Sequence, residues 1–270
     1  MFRVTIGQYY PANSFIHALD PRLKLTWSIS FIILLFTIPS IASYLLAALF
    51  LGICIAVSKV PFRLILRGLR GILFLLLFTV SLNMFLMPGQ HLIFSFWFIT
   101  IYEEGLTRAI MMAIRLVMLI FSSSLLTLTT PPIALTSAIE FLLTPFKIVK
   151  VPAAEIAMMM TIALRFIPTL AEEMDKIMKA QKARGADFES GSLVQRATNL
   201  VPLLIPLFIS SFRRADDLAM AMEARCYQPD KTRTHMKVNR LNKFDVIALI
   251  VILISYAIIY IPMAMGLWLL

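Results

Sequence analysis

Four stretches of this chain carry no Asp, Glu, Lys or Arg: Leu25–Ser58, Gly71–Tyr102, Leu116–Ile139 and Val246–Leu270. A helix needs about 20 predominantly apolar residues to cross a membrane. The first stretch, at 34 residues, is too long for one crossing and slightly short for two. Pro39-Ser40 divides it, which predicts a tight hairpin of two short or tilted helices. Spans are expected near 25–38, 41–58, 71–87, 106–130 and 245–268.

Residues 140–245 break this pattern. They hold 28 charged residues, 16 basic and 12 acidic, against 12 in the rest of the chain. Leu, Ile, Met and Ala still recur there at helical spacing, punctuated by Pro145, Pro152, Pro202 and Pro206. The spacing predicts three amphipathic helices outside the hydrocarbon, at about 133–144, 153–184 and 192–225. Gly185 is placed as the glycine after a helix end, Asp187–Ser192 as a turn, and Gln228–Asn242 as a basic linker to the last span. In the second of these helices Glu172–Lys176 and Asp175–Lys179 are i,i+4 pairs in the favoured order, with Lys182 and Arg184 suited to the negative helix end. The fold class expected is an all-α membrane protein with about five transmembrane helices and a cytoplasmic domain of long amphipathic helices. Its parts are a cytoplasmic N-terminal segment (1–24), a four-span membrane part (25–130), the cytoplasmic helical domain (131–243) and a final transmembrane helix (244–270).

Composition agrees and charge orients the chain. It is 60% hydrophobic with a mean hydropathy of +0.85, well above soluble domains. Lys59–Arg70 has four bases and no acid, whereas Pro88–Glu104 has two acids and no base. The excess of positive charge on cytoplasmic loops puts the first inside and the second outside. The N-terminus is then cytoplasmic and the uncharged tail Gly266–Leu270 is outside. Trp27, Trp97 and Trp268 fall near span ends, as interfacial aromatics do. Met1–Lys24 is polar, so no cleavable signal peptide is expected. Basic cytoplasmic loops account for the net charge of +10 without nucleic acid. Cys54 lies in a span and Cys226 in the charged region, which predicts no disulfide.

Catalytic chemistry is not indicated. The chain has no Gly-x-x-x-x-Gly-Lys-Ser/Thr phosphate loop. His17, His91 and His235 stand apart, with no metal-ligand spacing. No catalytic residue and no metal site are assigned.

One short block occurs twice, 41 residues apart: Ala180-Gln-Lys-Ala183-Arg184-Gly185 and Ala221-Met-Glu-Ala224-Arg225-Cys226. Each copy has an aspartate nine residues before its arginine, Asp175 and Asp216. Alanines one and four residues before the arginine leave a slim helix end. The guanidinium offers five donors in a rigid fork suited to a carboxylate in a partner's groove. The other reading is that each arginine caps the carbonyls of its own helix, and both readings stand open at this point.

These blocks resemble the two Ala-Arg-Gly signatures of the transmembrane T component (EcfT family) of energy-coupling factor (ECF) transporters. Leu19-Asp20-Pro21-Arg22-Leu-Lys24, Glu104-Gly105-Leu106, Thr129-Thr130-Pro131 and Leu164-Arg165-Phe-Ile-Pro168 agree with it, so the resemblance covers essentially the whole chain. It implies a coupling subunit that joins two ATP-binding-cassette ATPases to a membrane-embedded, substrate-binding S component for uptake of a micronutrient, typically vitamins. Region 131–243 would be its coupling-helix domain, in a prokaryotic cell membrane. The implied ATPase-docking residues are Ala183, Arg184 and Gly185, then Ala224, Arg225 and Cys226. ATP and magnesium would be bound by the partner ATPases and no cofactor by this chain. The S components would be interchangeable, and the remaining partner is the lipid bilayer. Cys226 departs from the motif's glycine; a left-handed backbone there would cost roughly 1 kcal/mol.

Met158, Met159 and Met160 suit a surface that repacks around different partners, and Arg115 lies deep in the fourth span. Both are possible S-component contacts, with core packing and pairing to another helix as the structural alternatives. Arg108 is expected to reach outward towards Glu103 or Glu104. A self-sufficient permease or channel is the competing function. It would need a polar path through the spans, for which Ser81, Asn83, Ser122–Ser124 and Thr127 are a thin supply.

Overall fold

The computed structural model describes residues 9–38, 40–86, 92–96, 99–188, 190, 192–228 and 242–264. Nine α-helices are described: α1 (Phe15–Ala18), α2 (Pro21–Thr37), α3 (Ile41–Ser58), α4 (Phe62–Leu86), α5 (Glu103–Thr129), α6 (Pro132–Leu143), α7 (Ala153–Ala183), α8 (Leu193–Ala224) and α9 (Lys243–Ala264). A 3-10 turn covers Thr144–Val149. The helical expectation holds, with one addition. Leu92–Phe96 (β1) and Ile99–Tyr102 (β2) pair as an antiparallel hairpin between α4 and α5. The described chain divides into two compact units, one within Gly7–Leu142 and Asn239–Leu270, the other within Leu143–Val238.

In the first unit the helix boundaries follow from local chemistry. Asp20 caps α2 by accepting from Arg22 N at 2.8 Å, and Pro21 occupies the first helical position, where its missing N–H costs nothing. The α2–α3 hairpin turns where Pro39-Ser40 predicted. The core draws on four helices: Phe31, Leu34 and Leu35 from α2, Tyr44, Ala47 and Leu51 from α3, Met118 from α5 and Ile259 from α9. Ser43 Oγ donates to Ile259 O at 2.8 Å, and Ser30 bonds Tyr256 at 2.7 Å, tying α9 to the hairpin.

At the other end of α2 a buried polar knot does similar work. Lys24 is only 5% exposed and donates to His17 O and Thr129 O, at 3.1 and 3.2 Å. Asp245, 3% exposed, accepts from Asp20 N and Asn242 N, so it caps α9 and holds the start of α2 together. Buried polar groups are tolerated when bonded in this way. Burial holds the His17 imidazole below its usual pKa of 6.5. In the neutral ring Nε2 donates to Tyr10 O at 2.9 Å and Nδ1 accepts from Ser14.

Five described helices are long and apolar enough to cross a membrane: Ile41–Ser58, Phe62–Met84, Gly105–Thr129, Ala153–Ala183 and Lys243–Ile261. Four of the five were expected as spans, near 41–58, 71–87, 106–130 and 245–268. At 17 residues and about 25 Å, α2 is one residue shorter than α3 and is the short first helix of the expected hairpin. The newcomer is α7. Charge averaged over 140–245 hid its apolar first half, in which Glu155 and Arg165 are the charged residues. Arg63, Arg67 and Arg70, expected in a loop, lie on α4, which starts directly after Pro61. Trp97, Trp268, the tail Gly266–Leu270, His91, His235 and most of the 228–242 linker lie outside the described residues.

Candidate functional site

In the second unit the repeat becomes geometry. α7 runs over Ala153–Ala183 and α8 over Leu193–Ala224, so each helix ends at the alanine before its arginine. Ser192 starts α8 by accepting from Gln195 N. At the end of α7, Arg184 has φ −88° and ψ 6°, and the next residue turns left-handed. Gly185 N donates to Lys182 O and Ala186 N to Gln181 O, both at 3.0 Å. At the end of α8, Arg225 has φ −93° and ψ 13°. Cys226 N donates to Glu223 O at 2.8 Å, and Tyr227 N to Met222 O at 3.0 Å. Both are Schellman closures, with crossed hydrogen bonds around one left-handed residue.

This explains the glycine of the motif. Its φ is +87°, and a Cβ built on it meets nothing within 4 Å. The demand is on backbone dihedral, not on space inside this chain. Cys226 meets the same demand at φ 55°, as a non-glycine residue in a region that costs L-residues about 1–2 kcal/mol.

Both arginines are exposed, as are Ala180, Ala183, Ala221 and Ala224. Neither guanidinium has a hydrogen bond or ion pair to a described residue. The reading in which each arginine caps its own carbonyls is therefore not the arrangement adopted. The backbone closes both helix ends and leaves the cations free.

The expected i,i+4 pairs are not what orders this unit. Lys176 and Lys179 are exposed, and no ion pair joins Glu172 to Lys176 or Asp175 to Lys179. Instead α7 is clasped to α8. Arg214 Nη2 donates to Glu173 Oε2 at 2.8 Å, and Ser210 Oγ donates to Glu173 Oε1 at 2.6 Å. Glu173 and Arg214 are 41 residues apart, the offset of the repeat itself. The clasp thus joins equivalent positions of the two copies. Eleven residues separate Glu173 from Arg184, and eleven separate Arg214 from Arg225. Each tip extends about 16 Å beyond the clasp. Spacing within one helix could not show this contact; opposite charges at the offset of the motif were the available signal.

Met158 and Met160 are half-buried near the start of α7, while Met159 is 58% exposed. Arg115 belongs to the other unit and pairs there with another helix: its Nε donates to Tyr44 Oη at 2.8 Å. Arg108 is exposed on α5, and the Glu104 side chain lies outside the described residues. Among the described residues no cluster of His, Cys, Asp or Glu is arranged to hold a metal ion.

Comparison with known proteins gives a consistent picture. Residues 12–236 match the model of the CbiQ family, described as cobalt transport protein. The chain is 57% identical over 246 residues, 91% of either chain, to the energy-coupling factor transporter transmembrane protein EcfT of Clostridium kluyveri. It is 54% identical to the protein of that name from Ruminiclostridium cellulolyticum, over 90% of this chain and 91% of the relative. It is also 54% identical to the one from Thermosediminibacter oceani, over 93% and 94%.

Proposed function

The chain belongs to the CbiQ family of transport proteins and to its EcfT transmembrane members, and from that premise we propose that it couples two ABC ATPases to a substrate-binding S component. The observation that carries this reading is the pair of matched helix ends. Two exposed, unpartnered guanidinium groups stand at equal distance from one clasp, as a subunit engaging two similar sockets requires. Arg184 and Arg225 each enter a carboxylate-bearing groove, with Ala183 and Ala224 keeping the tip slim and Gly185 and Cys226 turning the backbone away. ATP and magnesium are bound by the ATPases, and this chain binds no cofactor and performs no hydrolysis.

In this reading the protein is a multi-pass component of a prokaryotic cell membrane, with the N-terminus and region 131–243 on the cytoplasmic side and the C-terminus outside. The apolar first half of α7 lies at the membrane and its charged second half reaches into the cytoplasm. Closure of the ATPases moves the tips, and α7 and α8 carry that motion to the S component. Met158, Met159 and Met160 supply a repacking face for interchangeable S components. Arg115 is engaged by Tyr44, so we assign that face to the methionines alone. The cargo is a micronutrient, with a vitamin as first choice, and the S component selects it.

The test is the double variant Arg184→Glu with Arg225→Glu. It is expected to insert normally and to lose the ATPases on purification. Retained ATPases with normal uptake would refute the docking assignment. Uptake by this chain alone in liposomes lacking ATPases would favour a self-sufficient permease.

A further inference from the structure

Arg22 is a cation for which the docking function has no use. It is the second residue of α2, beside the buried knot of Asp20, Lys24 and Asp245. The other charges of the knot are engaged within the chain. Asp20 Oδ1 accepts from Arg22 N, Asp245 accepts from Asp20 N and Asn242 N, and Lys24 donates to two carbonyls. The guanidinium of Arg22 has no such partner. Its carbon lies 5.1 Å from the ring centre of Phe141 on α6, so one face of the cation rests on an aromatic ring. Its Nε is buried with no acceptor. No carboxylate of a described residue pairs with it. Neither terminal nitrogen is hydrogen-bonded to a described residue, and neither is among the buried polar atoms that lack a partner. Both donors are therefore open.

The level of this cation is set by the chain's own charges. Asp20 N donates to Asp245 Oδ1 at 2.9 Å, so α2 and α9 start together. Ser30 bonds Tyr256 at 2.7 Å, so they run side by side in the same direction. Past Lys24 on α2 and past Asp245 on α9 no charged residue follows to the end of either helix. Lys24 also donates to Thr129 O, the residue on which the charge-free second half of α5 ends. The charge-free parts of three helices thus begin at one level. In a membrane-spanning bundle that boundary is where headgroups give way to hydrocarbon, because charges are costly in the interior. Arg22 stands on its headgroup side, about 5 Å before Leu25 along the helix axis. Trp27, about 7–8 Å further in than Arg22, sits where interfacial aromatics do.

A groove of about 470 Å³ runs inward from this level between α2 and α9. Asp20, Arg22 and Phe141 stand at its mouth, and Leu23, Trp27, Leu249 and Leu253 form its apolar walls. Ser30 and Tyr256 close its inner end. From Asp20 to Ser30 is about 15 Å along α2, half of a hydrocarbon core of roughly 30 Å and so the depth of one leaflet. Leu249 and Leu253 are 48% and 59% exposed, so the groove is open on its outer side. The cation itself lines the groove, and the apolar walls lie on its hydrocarbon side. An open guanidinium at headgroup level, above an apolar channel one leaflet deep, fits a phosphate that carries an acyl chain. We propose that Arg22 and the α2–α9 groove bind one phospholipid. Its phosphate takes the two open guanidinium nitrogens, in the bidentate geometry that a planar fork favours. One acyl chain lies along Leu23, Trp27, Leu249 and Leu253.

The test uses the full chain in detergent, stripped of lipid, with binding read by native mass spectrometry. The probes are phosphatidylglycerol, diacylglycerol with the same chains, and inorganic phosphate. Wild type is expected to hold one phosphatidylglycerol tightly and diacylglycerol at least about tenfold more weakly, with no competition from inorganic phosphate. Arg22→Gln should weaken phosphatidylglycerol by about tenfold and Arg22→Lys by less. Leu253→Trp, which narrows the groove and leaves the cation in place, should weaken both lipids. Arg67→Gln removes an exposed cation of α4 and should change nothing. Helical content by circular dichroism should be the same in all four variants. Equal binding by Arg22→Gln and wild type would overturn the proposal, as would equal binding of the two lipids. An equal loss in Arg67→Gln would overturn it in favour of unlocalised attraction between basic residues and anionic lipid. Competition by inorganic phosphate would overturn it in favour of a free anion. Failure of folded wild type to take up any phosphatidylglycerol would overturn it and leave the groove to a helix of a partner subunit. Arg184 and Arg225 are intact in every variant, so none of these outcomes bears on ATPase docking.

Discussion

The ends of α7 and α8 share one backbone and differ in most of their side chains. Gln181 and Lys182 on one correspond to Met222 and Glu223 on the other, and Gly185 corresponds to Cys226. Lys176, Lys179 and Lys182 of α7 correspond to Asp217, Met220 and Glu223 of α8, while Asp175 and Asp216 are shared. Through these changes of charge and size, two alanines, one arginine and one left-handed residue persist, with the same crossed hydrogen bonds. What is repeated is a shape with a guanidinium at its point. The neighbouring charges vary because they serve each tip's own solvent-exposed face.

If the tips are equivalent, removing either arginine alone should cost the same. Arg184→Ala and Arg225→Ala are each expected to weaken ATPase binding by about 2–5 kcal/mol, as truncation of one member of a buried charge pair does. Titration of each variant with purified ATPase provides the measurement. A disparity well beyond tenfold between them would break the equivalence and point to one dominant contact.

The clasp should matter to both tips together. Glu173 and Arg214 are partly exposed, at 25% and 37%, so their pairing contributes about 1 kcal/mol or less to stability. Its larger effect is on geometry. Glu173→Gln should broaden the distance between spin labels at Lys182→Cys and Glu223→Cys, in a Cys226→Ser background. The exchanged pair Glu173→Arg with Arg214→Glu should narrow it again. A distance distribution indifferent to Glu173→Gln would remove the clasp from any role in spacing the tips.

Much of the helix layout is legible in the sequence. The reading 41–58 for the second span coincides with α3, and 133–144, 153–184 and 192–225 each lie within one residue of α6, α7 and α8 at both ends. These ends are written locally, by Pro152, by Ser192 bonded to Gln195 N, and by Gly185. What was hidden depends on distance or on averaging. Glu173 meets Arg214 across 41 residues, and Tyr44 meets Arg115 across 71; neither contact has a helical period to betray it. Charge marks the membrane edge, so Arg63, Arg67 and Arg70 suggest a loop, yet arginine is also a good helix former and all three lie on α4. At the proposed docking tips the arginines are legible in the sequence and their freedom is not, because only the closed caps show that the carbonyls are satisfied without them.

The smallest effect probes the one residue by which the two caps differ in kind. Gly185 sits at φ +87°, beyond the left-handed window of about +50° to +70° open to L-residues. Gly185→Cys must therefore pull the turn back as well as bear the left-handed cost of about 1–2 kcal/mol, partly offset by the lower entropy of the unfolded chain, so about 1 kcal/mol of local stability should be lost. Cys226 already lies inside that window at φ 55°. Cys226→Gly relieves its strain but adds entropy to the unfolded chain, so the gain should stay below about 1 kcal/mol. Amide exchange of the cap donors gives the answer at each end: faster at Gly185→Cys for residues 185 and 186, slightly slower at Cys226→Gly for residues 226 and 227. Equal exchange in all three proteins would mean that the partner, and not the backbone, dictates glycine at this position.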